Sequence, residues 1–137
     1  MEQFLEFIGS HWILSSAFLG LWVLFFLNDS IRSGATISVH QVAPLVNHQG
    51  GIIVDLRDSA EFRGGHIVDA LNIPFAKLKE SVAELNKYKD KPIILVDKMG
   101  QHSGTAGKQL KAEGFENVKR LTGGIATWTG DNLPLVK

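Results

Sequence analysis

Ile93-Ile94-Leu95-Val96-Asp97-Lys98-Met99-Gly100-Gln101-His102-Ser103-Gly104 is the stretch on which the reading of this chain turns. Four large aliphatic residues in a row, opened by Pro92, fit a strand buried on both faces, where polar alternation is not needed. A polar segment with one glycine follows. Ser103 or Thr105 can then cap a helix running to about Glu113, with Gly114 as its stop. A strand end, a tight loop and a helix N-terminus in succession gather unpaired backbone N–H groups at one point. That point suits an anion, and Asp97 stands at its entrance.

The same alternation of strand and helix extends in both directions. Upstream, residues 36–38 read as a first strand, with Ser38 capping a helix over 40–47. Ile52-Ile53-Val54-Asp55 follows Gly50-Gly51 as a second buried run, and 59–63 is a brief helix or turn stopped by Gly64-Gly65. Residues 70–74 suit a strand ended by Pro74. Between 77 and 89, Leu78, Val82, Leu85 and Tyr88 recur at helical spacing. Downstream, 118–121 is a last strand, and Gly123-Gly124 precede a helix with Ile125 and Trp128. Strands separated by helices predict an α/β domain, a parallel sheet flanked by helices on both faces.

A chain of 137 residues holds one such domain and a short appendage. Lys and Arg number 14, as do Asp and Glu, so the basic excess that nucleic acid requires is missing and no nucleic-acid partner is expected. With no cysteine, the chain can form neither disulfides nor thiolate metal sites, and it holds no thiolate nucleophile. The five histidines (His11, His40, His48, His66, His102) lack close ligand spacing, so neither a metal nor a cofactor is expected.

The appendage is N-terminal. Residues 7–27 contain no Asp, Glu, Lys or Arg, and 13–27 are almost wholly apolar, with Trp12 near the polar end. About 20 helical residues cross a hydrocarbon core. A cleaved signal would want a basic leader, where this chain has Glu2 and Glu6. A core helix would want one apolar stripe, where this segment is apolar all round. The expected organisation is therefore a single transmembrane helix within 1–28, a polar linker over 29–36, and the α/β domain over 37–137. Acid before the span and Arg32 after it put the domain in the cytoplasm by the positive-inside rule.

Five motifs occur in one order: Val54-Asp55-Leu56-Arg57; Glu61-Phe62-Arg63-Gly64-Gly65-His66-Ile67; Ala70-Leu71-Asn72-Ile73-Pro74; Gly114-Phe115; and Leu121-Thr122-Gly123-Gly124-Ile125-Ala126-Thr127-Trp128. Together they resemble the rhodanese-like domain family over roughly residues 37–133. With the apolar segment in front, the chain is similar to the membrane-anchored YibN-type group of bacterial rhodanese-domain proteins. The resemblance implies a rhodanese-like sheet, the bacterial inner membrane as location, and an active-site loop of the form C-x-x-G-x-R-S. Here that frame reads D-x-x-G-x-H-S, with Asp97 at the nucleophile position and His102 where many members carry arginine.

A carboxylate suits the electrostatics of such a loop but cannot become a persulfide. Without a fixed guanidinium the loop also lacks a strong partner for an oxyanion. The candidate binding loop is Asp97, Lys98, Met99, Gly100, Gln101, His102 and Ser103, supported by Asp55, Arg57 and His66, with no catalytic residue expected. Asp55 and Arg57 read as a buried ion pair that holds loops, His66 as a structural hydrogen bond, and Trp128 as core packing. The resulting expectation is a catalytically inactive, membrane-anchored module that binds a protein or an anion. The bilayer and a membrane or membrane-associated protein would be its partners. The alternative is an enzyme of the same fold, either relaying sulfur through a partner's cysteine or using Asp97 in group transfer.

Overall fold

The computed structural model describes all of the chain except residues 29–32. It divides into two compact units, Met1–Ile31 and Arg32–Lys137.

The first unit holds α1 (Glu2–Ser10) and the start of α2 (Trp12–Ser33). The uninterrupted helix expected over 7–27 is not formed, because the chain bends by 84° at His11. His11 leaves helical geometry at φ −119° and ψ 36°, and its N–H closes α1 on the Phe7 carbonyl. The Ser10 hydroxyl also donates to the Phe7 carbonyl at 3.2 Å, and His11 Nδ1 lies 3.0 Å from Ser10 Oγ. Such local side-chain bonds offer the backbone an alternative to the helical ladder. Among the described residues no single helix is long and apolar enough to cross a membrane. The bent pair Glu2–Ser10 and Trp12–Asn28 meets those criteria together, by length and composition only.

The second unit is a five-stranded, all-parallel sheet of β1 (Ala35–Ile37), β2 (Ile52–Asp55), β3 (Leu71–Asn72), β4 (Ile93–Val96) and β5 (Val118–Leu121). The strand order is β1-β5-β4-β2-β3. Helices α3 (Val39–Gln49), α4 (Ser59–Arg63), α5 (Leu78–Leu85) and α6 (Ser103–Ala112) connect the strands, and α7 (Gly124–Gly130) follows β5. Of the stretch read as a linker, Ser33 closes α2, and Ala35 and Thr36 open β1; residues 29–32 lie outside the described residues.

Strand β4 is the centre of the sheet and wholly buried. Successive side chains on a strand point to opposite faces. Ile93 and Leu95 accordingly join the cluster formed with Leu78, Leu85, Leu110 and Phe115, while Ile94 and Val96 join Ile37, Val42, Ile53 and Ile125 on the other face. The two cores explain why the run carries no polar residue. Helix α3 begins one residue earlier than expected and ends later, at Gly50, whose φ of 69° is left-handed. At its start the Ser38 N–H donates to Gln41 Oε1 at 2.9 Å, one half of a capping box.

Two glycines fix the entry of the chain into this unit. Gly34 has φ +92°, and a Cβ there would meet the Val118 carbonyl oxygen at 2.6 Å. Its own carbonyl accepts from Arg120 Nε at 2.9 Å. Gly107 on α6 lies against the backbone of buried Ser33, where a Cβ would fall 1.8 Å from the carbonyl oxygen. At Gly104, one turn earlier, a Cβ would meet the tip of the Arg120 side chain at 3.3 Å and the Ser33 hydroxyl oxygen at 3.9 Å, and no backbone atom outside the helix within 4 Å. Gly107→Ala is therefore expected to cost about 1–3 kcal/mol through overpacking. Gly104→Ala should be neutral or gain up to about 1 kcal/mol from helix propensity. Urea unfolding of the two variants side by side measures the contrast.

Candidate functional site

The site forms at the carboxyl end of the sheet, where β2 and β4 lead into loops. Parallel strands deliver their following loops to one edge, and ligands of open α/β sheets bind there. Asp55 and Val96 are paired in register at the ends of β2 and β4, so the two loops start side by side.

The β2 loop is held by an ion pair. Asp55 is 1% exposed, and its carboxylate accepts from Arg57 Nη2 at 2.9 Å and from Arg57 Nε at 3.1 and 3.2 Å. The Arg57 backbone N–H donates to the same carboxylate at 2.9 Å. Nη2 reaches on to the Gly65 carbonyl at 2.7 Å, and Asn72 Nδ2 donates to the carbonyls of Asp55 and Arg57 at 3.3 and 2.9 Å. One bidentate pair thus ties β2, the turn after α4 and β3 together. Arg57 also lines the cleft described below, with its Nε and Nη2 donors engaged by Asp55 and Gly65.

His66 is placed away from the 97–103 loop. Its ring stacks on Phe62 with centroids 3.8 Å apart, and Nδ1 lies 2.8 Å from the Phe62 carbonyl. Its backbone pairs with Val136 in an isolated antiparallel bridge. The structure therefore brings together Asp97 to Ser103 and the edge of Arg57, and leaves His66 to pin the C-terminal segment.

The β4 loop closes on itself around Asp97, which is only 2% exposed. Oδ1 accepts the N–H of Gly100, and Oδ2 accepts those of His102 at 2.6 Å and Ser103 at 3.1 Å. Gly100 makes the turn with φ 89°, a conformation that favours glycine. Helix α6 starts at Ser103 with His102 in the cap position and no capping bond from its side chain. The expected serine or threonine cap is replaced by Asp97, reaching from six residues back to the positive end of the helix.

Helix α7 holds the other side of the loop. The N–H groups of Ile125 and Ala126 donate to the carbonyls of Asp97 and Lys98 at 2.8 and 3.0 Å. A Cβ on Gly124 would lie 2.2 Å from the Asp97 carbonyl oxygen and 2.9 Å from Oδ1, so the second glycine of the Gly123-Gly124 pair is required by contact with the loop. Sequence reasoning placed these glycines in a motif but not against Asp97.

Around the buried carboxylate the rim is open. Lys98, Met99, Gln101 and His102 are exposed. With Leu56, Arg57, Asp58, Glu61, Phe75, Ala76 and Asp97 itself they border a cleft of about 310 Å³. His102 stacks on Phe75, with centroids 4.7 Å apart and planes 17° from parallel. Phe75 was missed at the sequence level. It directly follows the Asn72-Ile73-Pro74 motif, and that adjacency was the only available signal. Among the described residues no cluster of His, Asp and Glu suits a metal ion.

Residues 38–131 match the family model described as "Rhodanese-like domain". The chain belongs to the rhodanese-like domain family. It is 36% identical over 141 residues to "Uncharacterized protein YibN" of Escherichia coli strain K12, covering 100% of this chain and 99% of that one. It is 30% identical over 86 residues to "Thiosulfate sulfurtransferase GlpE" of Pseudomonas savastanoi pv. phaseolicola, covering 63% of this chain and 79% of that one. Among solved structures, a rhodanese-related protein from Thermoplasma volcanium superposes with a TM-score of 0.67 at 25% identity, covering 74% of this chain and 97% of that one.

Because three backbone donors converge on one carboxylate, Asp97→Asn turns an amide N–H₂ toward N–H groups that need an acceptor. The expected loss is about 1–3 kcal/mol, the cost of leaving a buried polar group unsatisfied. Urea unfolding of the variant against the parent chain gives the value. An unchanged midpoint and slope would show that the carboxylate is not needed to close the loop.

Proposed function

We propose that this chain is a non-catalytic rhodanese-fold module held at the bacterial inner membrane by α2, with its domain on the cytoplasmic side. We further propose that it docks a membrane or membrane-associated protein through the rim of the 97–103 loop. The observation that carries this reading is the Asp97 carboxylate, which occupies its own anion cradle. The donors of Gly100, His102 and Ser103 are engaged with it. A second anion would have to displace a covalently attached one, which favours protein docking over anion binding.

The same geometry weighs against Asp97 as a nucleophile. Group transfer needs a free carboxylate oxygen, and both Asp97 oxygens, although the residue lines the cleft, already accept backbone N–H bonds and the side chain is only 2% exposed. The rim, in contrast, offers Met99 at 60% exposure, an adaptable apolar side chain of the kind used at protein contacts. The membrane reading is supported by the charge-free apolar run over 7–27 and by Arg32 beyond it.

In assays of the purified full chain, thiosulfate and cyanide should give thiocyanate no faster than a heat-denatured control. A turnover that scales with protein concentration would overturn the non-catalytic reading. For docking, a photocrosslinking amino acid at position 99 should yield a discrete protein adduct in native membranes. The same group at Glu84, an exposed position on α5, should not. Equal labelling from both positions would count against the loop rim as the contact surface.

A further inference from the structure

The break at His11 has a consequence for how the N-terminal unit meets lipid. Successive helical residues turn by about 100°. On α1 that places Phe4, Leu5, Phe7 and Ile8 on one side, and Glu2, Gln3, Glu6 and Ser10 on the other. No residue of α1 is buried, and Phe4 and Leu5 are 65% and 61% exposed. Helix α2 differs, because from Trp12 to Leu27 it is apolar around its whole circumference apart from Ser15 and Ser16. The chain therefore joins a two-faced helix to a one-phase helix through an 84° bend.

The bend also exposes backbone polarity. The N–H groups of Trp12, Ile13 and Leu14 open α2 and have no helical acceptor, and the last carbonyls of α1 have no helical donor. Among the described residues the backbone bonds at the junction are the His11 N–H to the Phe7 carbonyl and the Ser15 N–H to the His11 carbonyl, each at 3.0 Å. Ser10 and His11 add two polar side chains at the same point. Hydrocarbon satisfies none of these groups, so the junction belongs in water or among headgroups.

We infer that α1 is an interfacial helix, lying along the bilayer surface on the side opposite the domain, and that the span begins at Trp12 rather than at Phe7. The occupant of its apolar face is lipid at the acyl boundary, and its glutamates face water. Trp12 sits at the headgroup level, where indole rings anchor helices. Residues 12–27 span about 24 Å at 1.5 Å per residue, a short span that a locally thinned bilayer accommodates. With two glutamates and no basic residue before Arg32, this foot binds by apolar insertion and not by attraction to anionic lipid. The inference rests on the membrane reading proposed above.

The absence of cysteine makes a clean test available, because each introduced thiol is unique. Single cysteines at Gln3, Phe4, Leu5, Glu6, Ile8, Ser10 and Gly20 of the full chain are labelled with an environment-sensitive fluorophore. The protein is reconstituted in phosphatidylcholine–phosphatidylglycerol vesicles and exposed to aqueous iodide, a headgroup-level lipid quencher and a midplane lipid quencher. The expected result alternates with helical period. Positions 4, 5 and 8 respond most to the headgroup-level quencher, positions 3, 6 and 10 to iodide, and position 20 to the midplane quencher. Uniform quenching of all α1 positions from within the bilayer would overturn the inference in favour of one continuous span. Uniform iodide access to α1 with position 20 still deep would overturn it while leaving the span intact. Iodide access at position 20 would remove the span and the interfacial helix together.

Discussion

The domain depends on one set of bonds, the three backbone N–H groups that converge on the carboxylate of Asp97. The short connection from β4 to α6 sets up this convergence. A buried strand that leads directly into a helix must turn within a few residues, and the helix start then points its free donors back at the strand end. The acceptor side chain and the last of these donors lie where water has little access, since Asp97 and Ser103 are each 2% exposed. An acceptor has to be present there, and the chain supplies it from the first residue of the loop.

The other family motifs serve this arrangement from either side. Asp55 and Arg57 fix the neighbouring β2 loop by a buried bidentate pair extended to Gly65. Removing one partner of such a pair leaves a charge without compensation in the interior, so the two residues stand or fall together. On the opposite flank, α7 donates to the carbonyls of Asp97 and Lys98, and the bare Cα of Gly124 allows that approach. The β2 loop is thus fixed by side chains, and the α7 side of the Asp97 loop by backbone bonds. The rim residues Lys98, Met99, Gln101 and His102 are exposed, and their side chains take no part in these bonds.

The sheet was readable because burial on two faces leaves an unmistakable record. Ile93 to Val96 had to be apolar at every position to serve two cores, and the apolar run of β2 was located by the same rule. The convergence of donors on Asp97 was also readable, from strand, loop and helix start alone. Other features were not. The helix break at His11 depends on backbone angles and local bonds from Ser10, to which a count of apolar residues is blind. The cap of α6 was assigned to nearby serine or threonine because capping rules look one to three residues away, whereas the acceptor came from six residues back. The Phe75–His102 stack joins two loops distant in sequence, and no local pattern announces such a contact.

These constraints explain how a rhodanese-like domain can lack cysteine and keep its loop. A neutral small residue at position 97 would leave buried N–H groups without an acceptor, at about 1–3 kcal/mol each. Against a total stability of roughly 5–15 kcal/mol, that loss threatens the fold and not merely the site. A carboxylate meets the same donors with two oxygens, one for Gly100 and one for His102 and Ser103. The requirement placed on the position is therefore an anionic acceptor of the right reach, which is separable from the requirement for a nucleophile. An aspartate satisfies the first requirement by itself, and its two oxygens hold the loop closed from Gly100 to Ser103.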